Sequence, residues 1–183
     1  MKFRVCLAPA YFVAVVLLAS PLVPLASAQD SRSASLAKEL TALLQEKKLD
    51  SIAARAPSAP DQFVAALFFP GQLLVISARY GSPPVLMERI ARSEYRDVYI
   101  DLNSAAIPES RVLITDLGAD GLKPRREPNQ PFDAQDVNGK ALRFDGNWRE
   151  DKMSEDEYMK AFAQADQNYT AALEVLIGAL KKP

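Results

Sequence analysis

The sequence holds no histidine and a single cysteine, Cys6. Lacking histidine, the chain has no imidazole to serve as general base, metal ligand or proximal haem ligand. Cys6 lies in an N-terminal stretch that reads as an export signal, so the chain beyond it has no thiol for catalysis, a disulfide, an iron-sulfur cluster or a zinc site. No Ser-His-Asp triad can be assembled. An enzyme made from this chain must work with carboxylates, lysine, serine or tyrosine, or borrow its chemistry from a cofactor.

Charge of one sign is also missing. The 22 basic and 23 acidic side chains are interspersed along the chain. Nucleic acid and anionic membrane surfaces call for a one-sided positive field, so neither is an expected partner. A membrane span needs roughly 20 apolar residues, whereas the run "YFVAVVLLA" ends at Ala19 and is followed by Pro21 and Pro24. With Lys2 and Arg4 before it and the small residues "ASA" closing at Ala28, residues 1–28 read as a secretory signal peptide. The expectation is cleavage after Ala28, export to the periplasm or beyond, and one globular domain over 29–183 with no stable membrane span. A domain of that size closes a core without disulfides or a structural metal.

What is present is mostly pattern. In "SLAKELTALLQEKKLDSIAA", Leu36, Leu40, Leu43, Leu44 and Ile52 fall near one face of a helical wheel, which predicts an amphipathic helix with a break near Leu49. "RAPSAPDQ" reads as a proline-marked linker. "FVAALFF", 63–69, is apolar on both sides, as a strand covered on both faces should be. Pro70-Gly71 turns the chain into a second strand, 73–80, making a hairpin. A short helix opening at Ser82-Pro83, a strand "DVYIDLN", a strand over 111–117 and a fifth at "KALRFDG" follow. The last segment carries the clearest signal. Ser154 with Glu157 makes a capping box, and Tyr158, Phe162, Ala165, Tyr169, Leu173, Leu176 and Leu180 then recur at spacings of three and four. Packing of this stripe on the protein's own sheet is the plainer reading; a partner or a membrane surface is the other. The fold class is therefore α+β, a mainly antiparallel sheet of about four to six strands with amphipathic N- and C-terminal helices.

Three places invite a chemical reading. "DLGADGLKPRRE" spaces Asp116, Asp120 and Glu127 as a calcium loop would. Its third position is Gly118, Lys123, Arg125 and Arg126 lie inside it, and a strand leads in where a helix should. Turn chemistry fits better, with Gly118 and Gly121 at positive φ and Asp120 as the cap. Asp101 and Asp116, on neighbouring strands, could make an acid/base pair, with exposed strand carboxylates the plainer alternative. The long loop 122–139 brings Lys123, Arg125 and Arg126, which could share an anion with Arg79 and Arg111 at strand ends, against a plainer reading as solvated charge. Trp148 reads as packing beside a helix start.

The order of elements over residues 63–122, from hairpin and "LLVISAR" through "PPVLMERIARSEYR" and "DVYIDLN" to "RVLITDLGADGL", resembles the split β-barrel of pyridoxamine-phosphate-oxidase-like flavin proteins. It also resembles uncharacterised exported bacterial proteins. The first resemblance implies a split-barrel fold and FMN, its phosphate held near the strand-to-helix step, where Ser77 and Arg79 are the residues at a comparable place. No full phosphate-binding signature accompanies them. The anion site expected from both lines of reading is Ser77, Arg79, Lys123 and Arg125. The leading expectation is an exported, non-catalytic binding or interaction domain with a protein or small-molecule ligand and no cofactor; the alternative is a flavin-dependent oxidoreductase with FMN.

Overall fold

A computed structural model describes residues 32–81, 108–126 and 128–182. The first element, α1 (Arg32–Glu46), buries Ala37, Leu40 and Leu44 on one stripe. It ends where Lys48 takes a left-handed φ of 55° and the Leu49 N–H reaches back to the Leu44 carbonyl at 2.8 Å. Beyond this stop the chain is a strand, β1 (Ser51–Ala56), rather than the continued helix and linker that the pattern predicts. Alanine favours helix locally, but "SIAARA" pairs antiparallel with β2 (Ala59–Phe69), and cross-strand burial overrides the local preference. Pro57-Ser58 makes the turn between the two strands. Pro60 then lies where the register shifts beside Ala56, a position that tolerates its missing N–H.

The expected hairpin is present. β2 and β3 (Gln72–Arg79) run antiparallel from Phe69 opposite Gln72 to Gln62 opposite Arg79, joined at Pro70-Gly71, where Gly71 supplies a φ of 77°. β4 (Ser110–Leu117) lies against β3, so Arg79 faces Ser110 and Gln72 faces Leu117. The loop expected over 122–139 contains a further strand, β5 (Asp133–Val137), which pairs with β4 and, through an Asn138-Gly139 turn, with β6 (Lys140–Phe144). Both turn residues have positive φ, the requirement of a tight hairpin turn whose twist matches the strands. The helix expected after Ser82 and the strand expected over 97–103 lie outside the described residues.

Among the described residues six strands run antiparallel in chain order in one open sheet with β1 and β6 at its edges. This is an α+β meander, and among these residues the sheet does not close into a barrel. The second helix, α2 (Glu155–Lys181), starts with the capping box read from the sequence: the Ser154 hydroxyl accepts from the Glu157 N–H and the Glu157 carboxylate accepts from the Ser154 N–H at 2.8 Å. Its stripe of Tyr158, Ala165, Tyr169, Leu173, Leu176 and Leu180 is buried against α1 and one sheet face, meeting Leu40, Leu44, Val64, Leu73, Val75, Ile114 and Phe144. The C-terminal stripe is core. On the opposite sheet face Phe63, Ala65, Ile76, Ala78 and Tyr80 form a second buried cluster, which is why β2 is apolar on both sides.

Candidate functional site

The two ends of the sheet carry different chemistry. At the end where β4 finishes, Asp116 is fully buried among the helix-facing residues, not exposed as the plainer sequence reading has it. Its carboxylate accepts from the Gly121 N–H at 2.9 Å, the Asp120 N–H at 3.2 Å and the Tyr169 hydroxyl of α2 at 2.7 Å. Asp133 opens β5 beside it and accepts from the Leu117 N–H at 2.9 Å and the Lys123 N–H at 2.8 Å. Two carboxylates thus clasp residues 117–123 by their backbone. Asp116, rather than Asp120, caps the turn; the Asp120 carboxylate instead meets the Lys123 ammonium at 2.8 Å. Within the turn Gly121 has φ +95°, and a Cβ there would stand 2.4 Å from the Ala34 Cα, so the glycine lets the turn lie on the start of α1.

Burial dominates the proton chemistry of this clasp. It raises the Asp133 carboxyl to about 7, against the pull of the two N–H donors. It also raises Asp116, and it pushes the Tyr169 hydroxyl well above the ordinary phenol value, helped by the neighbouring Asp116 charge. These groups resemble a catalytic cluster only in their titration. Both Asp116 oxygens and both Asp133 oxygens already accept from the protein itself.

The residues expected to share an anion are divided between the two ends. Lys123 follows the end of β4, and Arg125 turns to α2, pairing with Glu155 at 3.0 Å and lying 5.8 Å from the centre of the Trp148 ring. Trp148 packs on Tyr158, the ring centres 6.0 Å apart. Ser77 and Arg79 lie at the opposite end of β3, a strand length of roughly 23 Å away. Arg111, on the other sheet face from Ser77, stands 3.7 Å from Asp136. Asp101 lies outside the described residues.

Ser77 and Arg79 do line a cavity. It measures about 210 Å³ and is walled by Gln62, Ser110 and Val112 from neighbouring strands and by Asn168 and Ala171 from α2. Ser77 accepts a hydrogen bond from the Gln62 amide at 2.7 Å, and Arg79 pairs with Asp61 at 3.1 Å. Gln62 and Ala171 are also walls of a larger cavity of about 530 Å³, so the two adjoin. The larger one runs between the β1–β2 hairpin and the second half of α2, over Ala54, Ala56 and Val64 on one side and Ala171, Gly178 and Ala179 on the other. Arg55, Glu174 and Lys182 border it. The groove exists because small residues meet where the helix crosses the strand ends: side chains of leucine size at these positions would close it.

Gly178 is the telling member of the wall. A Cβ built there meets nothing within 4 Å, and no positive φ accompanies it. Glycine inside a helix costs about 0.8–1 kcal/mol relative to alanine. Gly178 is exposed, so neither packing nor backbone geometry requires glycine there, and its missing side chain widens the groove it lines.

The sequence offered little sign of this groove. Arg79 enters through both the charge pattern and the flavin-protein resemblance, and Ser77 through the resemblance alone, but Gln62, Ser110, Asn168 and Gly178 enter through neither. Of these only Gly178 leaves a trace, as a small residue beside the apolar stripe in "AALEVLIGALK". No family model matches the chain, and no curated protein or solved structure matches it either. Among the described residues no helix is long and apolar enough to cross a membrane.

Proposed function

We propose that this is an exported, non-catalytic binding domain whose ligand lies in the groove between the β1–β4 strand ends and α2. The observation that carries the reading is Gly178, a helix-interior glycine on the groove wall with open space beyond its Cα. A cavity of about 530 Å³ falls in the range of roughly 300–1,000 Å³ typical of ligand sites. The smaller compartment that adjoins it gathers Ser77, Arg79, Ser110, Gln62 and Asn168, which suits orienting a ligand more than transforming one. The carboxylates with raised proton affinity sit at the far end of the sheet, where backbone donors occupy them. Export rests on the N-terminal pattern from Lys2 to Ala28.

A thermal-shift screen of small molecules and short peptides, run on the parent and on Ala171→Trp, tests the groove. Ala171 is exposed on α2, so the indole fills the groove without entering the core. Ligands that stabilise the parent and not the variant support the reading; ligands indifferent to the variant place binding elsewhere. FMN belongs in the same screen. A flavin that binds with a visible absorption band and survives Arg79→Lys but not Arg79→Ala would replace this reading with the oxidoreductase one.

A further inference from the structure

We infer that the groove takes a short extended peptide ending in a free carboxylate, with that carboxylate at the Arg79 end. This rests on the groove being the ligand site. Its two compartments differ in chemistry. The smaller one offers a guanidinium, two hydroxyls and two primary amides, from Arg79, Ser77, Ser110, Gln62 and Asn168. Arginine and hydroxyl donors are the set that recognises a carboxylate through charge-assisted hydrogen bonds. Arg79 is half exposed and meets Asp61 through its Nε at 3.1 Å, and a guanidinium carries four further N–H donors on its terminal nitrogens.

The larger compartment is narrow and walled by alanine, glycine and valine, with charges of both signs on its border. An alkyl chain would be matched by an apolar rim, whereas this rim carries Arg55, Ser58, Gln62, Glu174 and Lys182, of which Glu174 also pairs with Arg32 and the Gln62 amide donates to Ser77. A peptide backbone needs just such partners, since each residue brings one N–H and one C=O. Small walls admit the backbone and side chains of modest size. From Asn168 to Lys182, α2 rises roughly 21 Å at 1.5 Å per residue. An extended chain covers about 3.3–3.6 Å per residue, so the groove accommodates about six residues.

The probe is a fluorescein-labelled hexapeptide, Ala-Ser-Ala-Val-Ala-Ala, prepared with a free C-terminal carboxylate and as the C-terminal amide, and followed by fluorescence anisotropy on the purified protein. The free acid is expected to bind about ten- to a hundredfold more tightly than the amide. Arg79→Ala should erase the difference between the two peptides, and Ala171→Trp should abolish binding of both. Equal binding of acid and amide overturns the carboxylate assignment, and binding that survives Ala171→Trp overturns the place. If neither peptide binds, the peptide inference falls, while small molecules whose stabilisation is lost in Ala171→Trp would still uphold the groove itself.

Discussion

Tyr169 on α2 donates its hydroxyl to Asp116 at the end of β4, 2.7 Å away and 53 residues earlier in the chain. Both side chains are fully buried, so this one bond ties the long helix to the turn that the Asp116 carboxylate organises. Hydrogen bonds to a charged partner are worth about 1.5–3 kcal/mol, and a buried acceptor deprived of its donor bears its own desolvation. Tyr169→Phe keeps the ring and removes only that donor. Urea denaturation should show a loss of about 1.5–3 kcal/mol with an unchanged m-value. A loss below about 0.5 kcal/mol would mean that the N–H donors of Asp120 and Gly121 hold Asp116 unaided.

Asp133 predicts a direction for stability against pH. Burial pushes its carboxyl up to about 7 in the folded protein, above its ordinary value of 3.8, so the native state binds the proton more tightly than the unfolded chain does. The stabilisation this brings is fully present below about 3.8 and is lost as the pH rises through about 7. Asp133→Asn cannot titrate. The stability of the parent relative to this variant should therefore fall between pH 4 and pH 7.5, by an amount on the order of a few kcal/mol. A parent that instead gains on the variant over that range would show that the Leu117 and Lys123 N–H donors outweigh burial.

Gly121 is the point where the clasped turn meets α1. Any side chain there combines a disfavoured φ of +95° with a Cβ 2.4 Å from the Ala34 backbone. Gly121→Ala should cost about 2–4 kcal/mol, the sum of left-handed strain and overpacking at a buried contact. Hydrogen exchange should report the damage locally, as faster exchange over the first turns of α1. Uniform loss of protection across the sheet, with α1 no worse than the rest, would place the role of the turn elsewhere.

The parts of the fold that were legible in the sequence are those where local and tertiary signals agree. α2 has a capping box followed by seven apolar residues at helical spacing, and β2–β3 has two apolar runs around Pro-Gly. β1 was obscured because "SIAARA" is rich in helix-favouring alanine and its partner lies across a proline-marked turn. β5 was obscured because "DAQDV" carries only two apolar side chains, although the following Asn-Gly is a strong hairpin signal. The burial of Asp116 was available from period two: it follows Val112 and Ile114 on one face of β4. A buried carboxylate is improbable from composition alone, and it becomes stable here through donors supplied by a turn and a distant helix, neither of which the strand pattern contains. The groove was hidden for a related reason. It is an absence of bulk shared between α2 and four strand ends, so no local window displays it.

Gly178 separates stability from use. The space beyond its Cα is open, and the backbone is helical, so alanine fits without strain. Gly178→Ala should stabilise the protein by about 0.8–1 kcal/mol, from the helix preference of alanine and the lower entropy of its unfolded chain. For a domain of this size that is a rise of roughly 2–4 °C in Tm. Glycine at this position leaves room for a ligand to pass close to the helix backbone. Gly178→Leu extends the argument, because the isobutyl group reaches across the groove while leaving the helix intact. Its Tm should stay at or above that of the parent, while its binding of the carboxylate hexapeptide falls at least tenfold, a difference of about 1.4 kcal/mol. A leucine variant that is equally stable and binds the peptide as the parent does would detach Gly178 from ligand binding and remove the observation on which the groove reading stands.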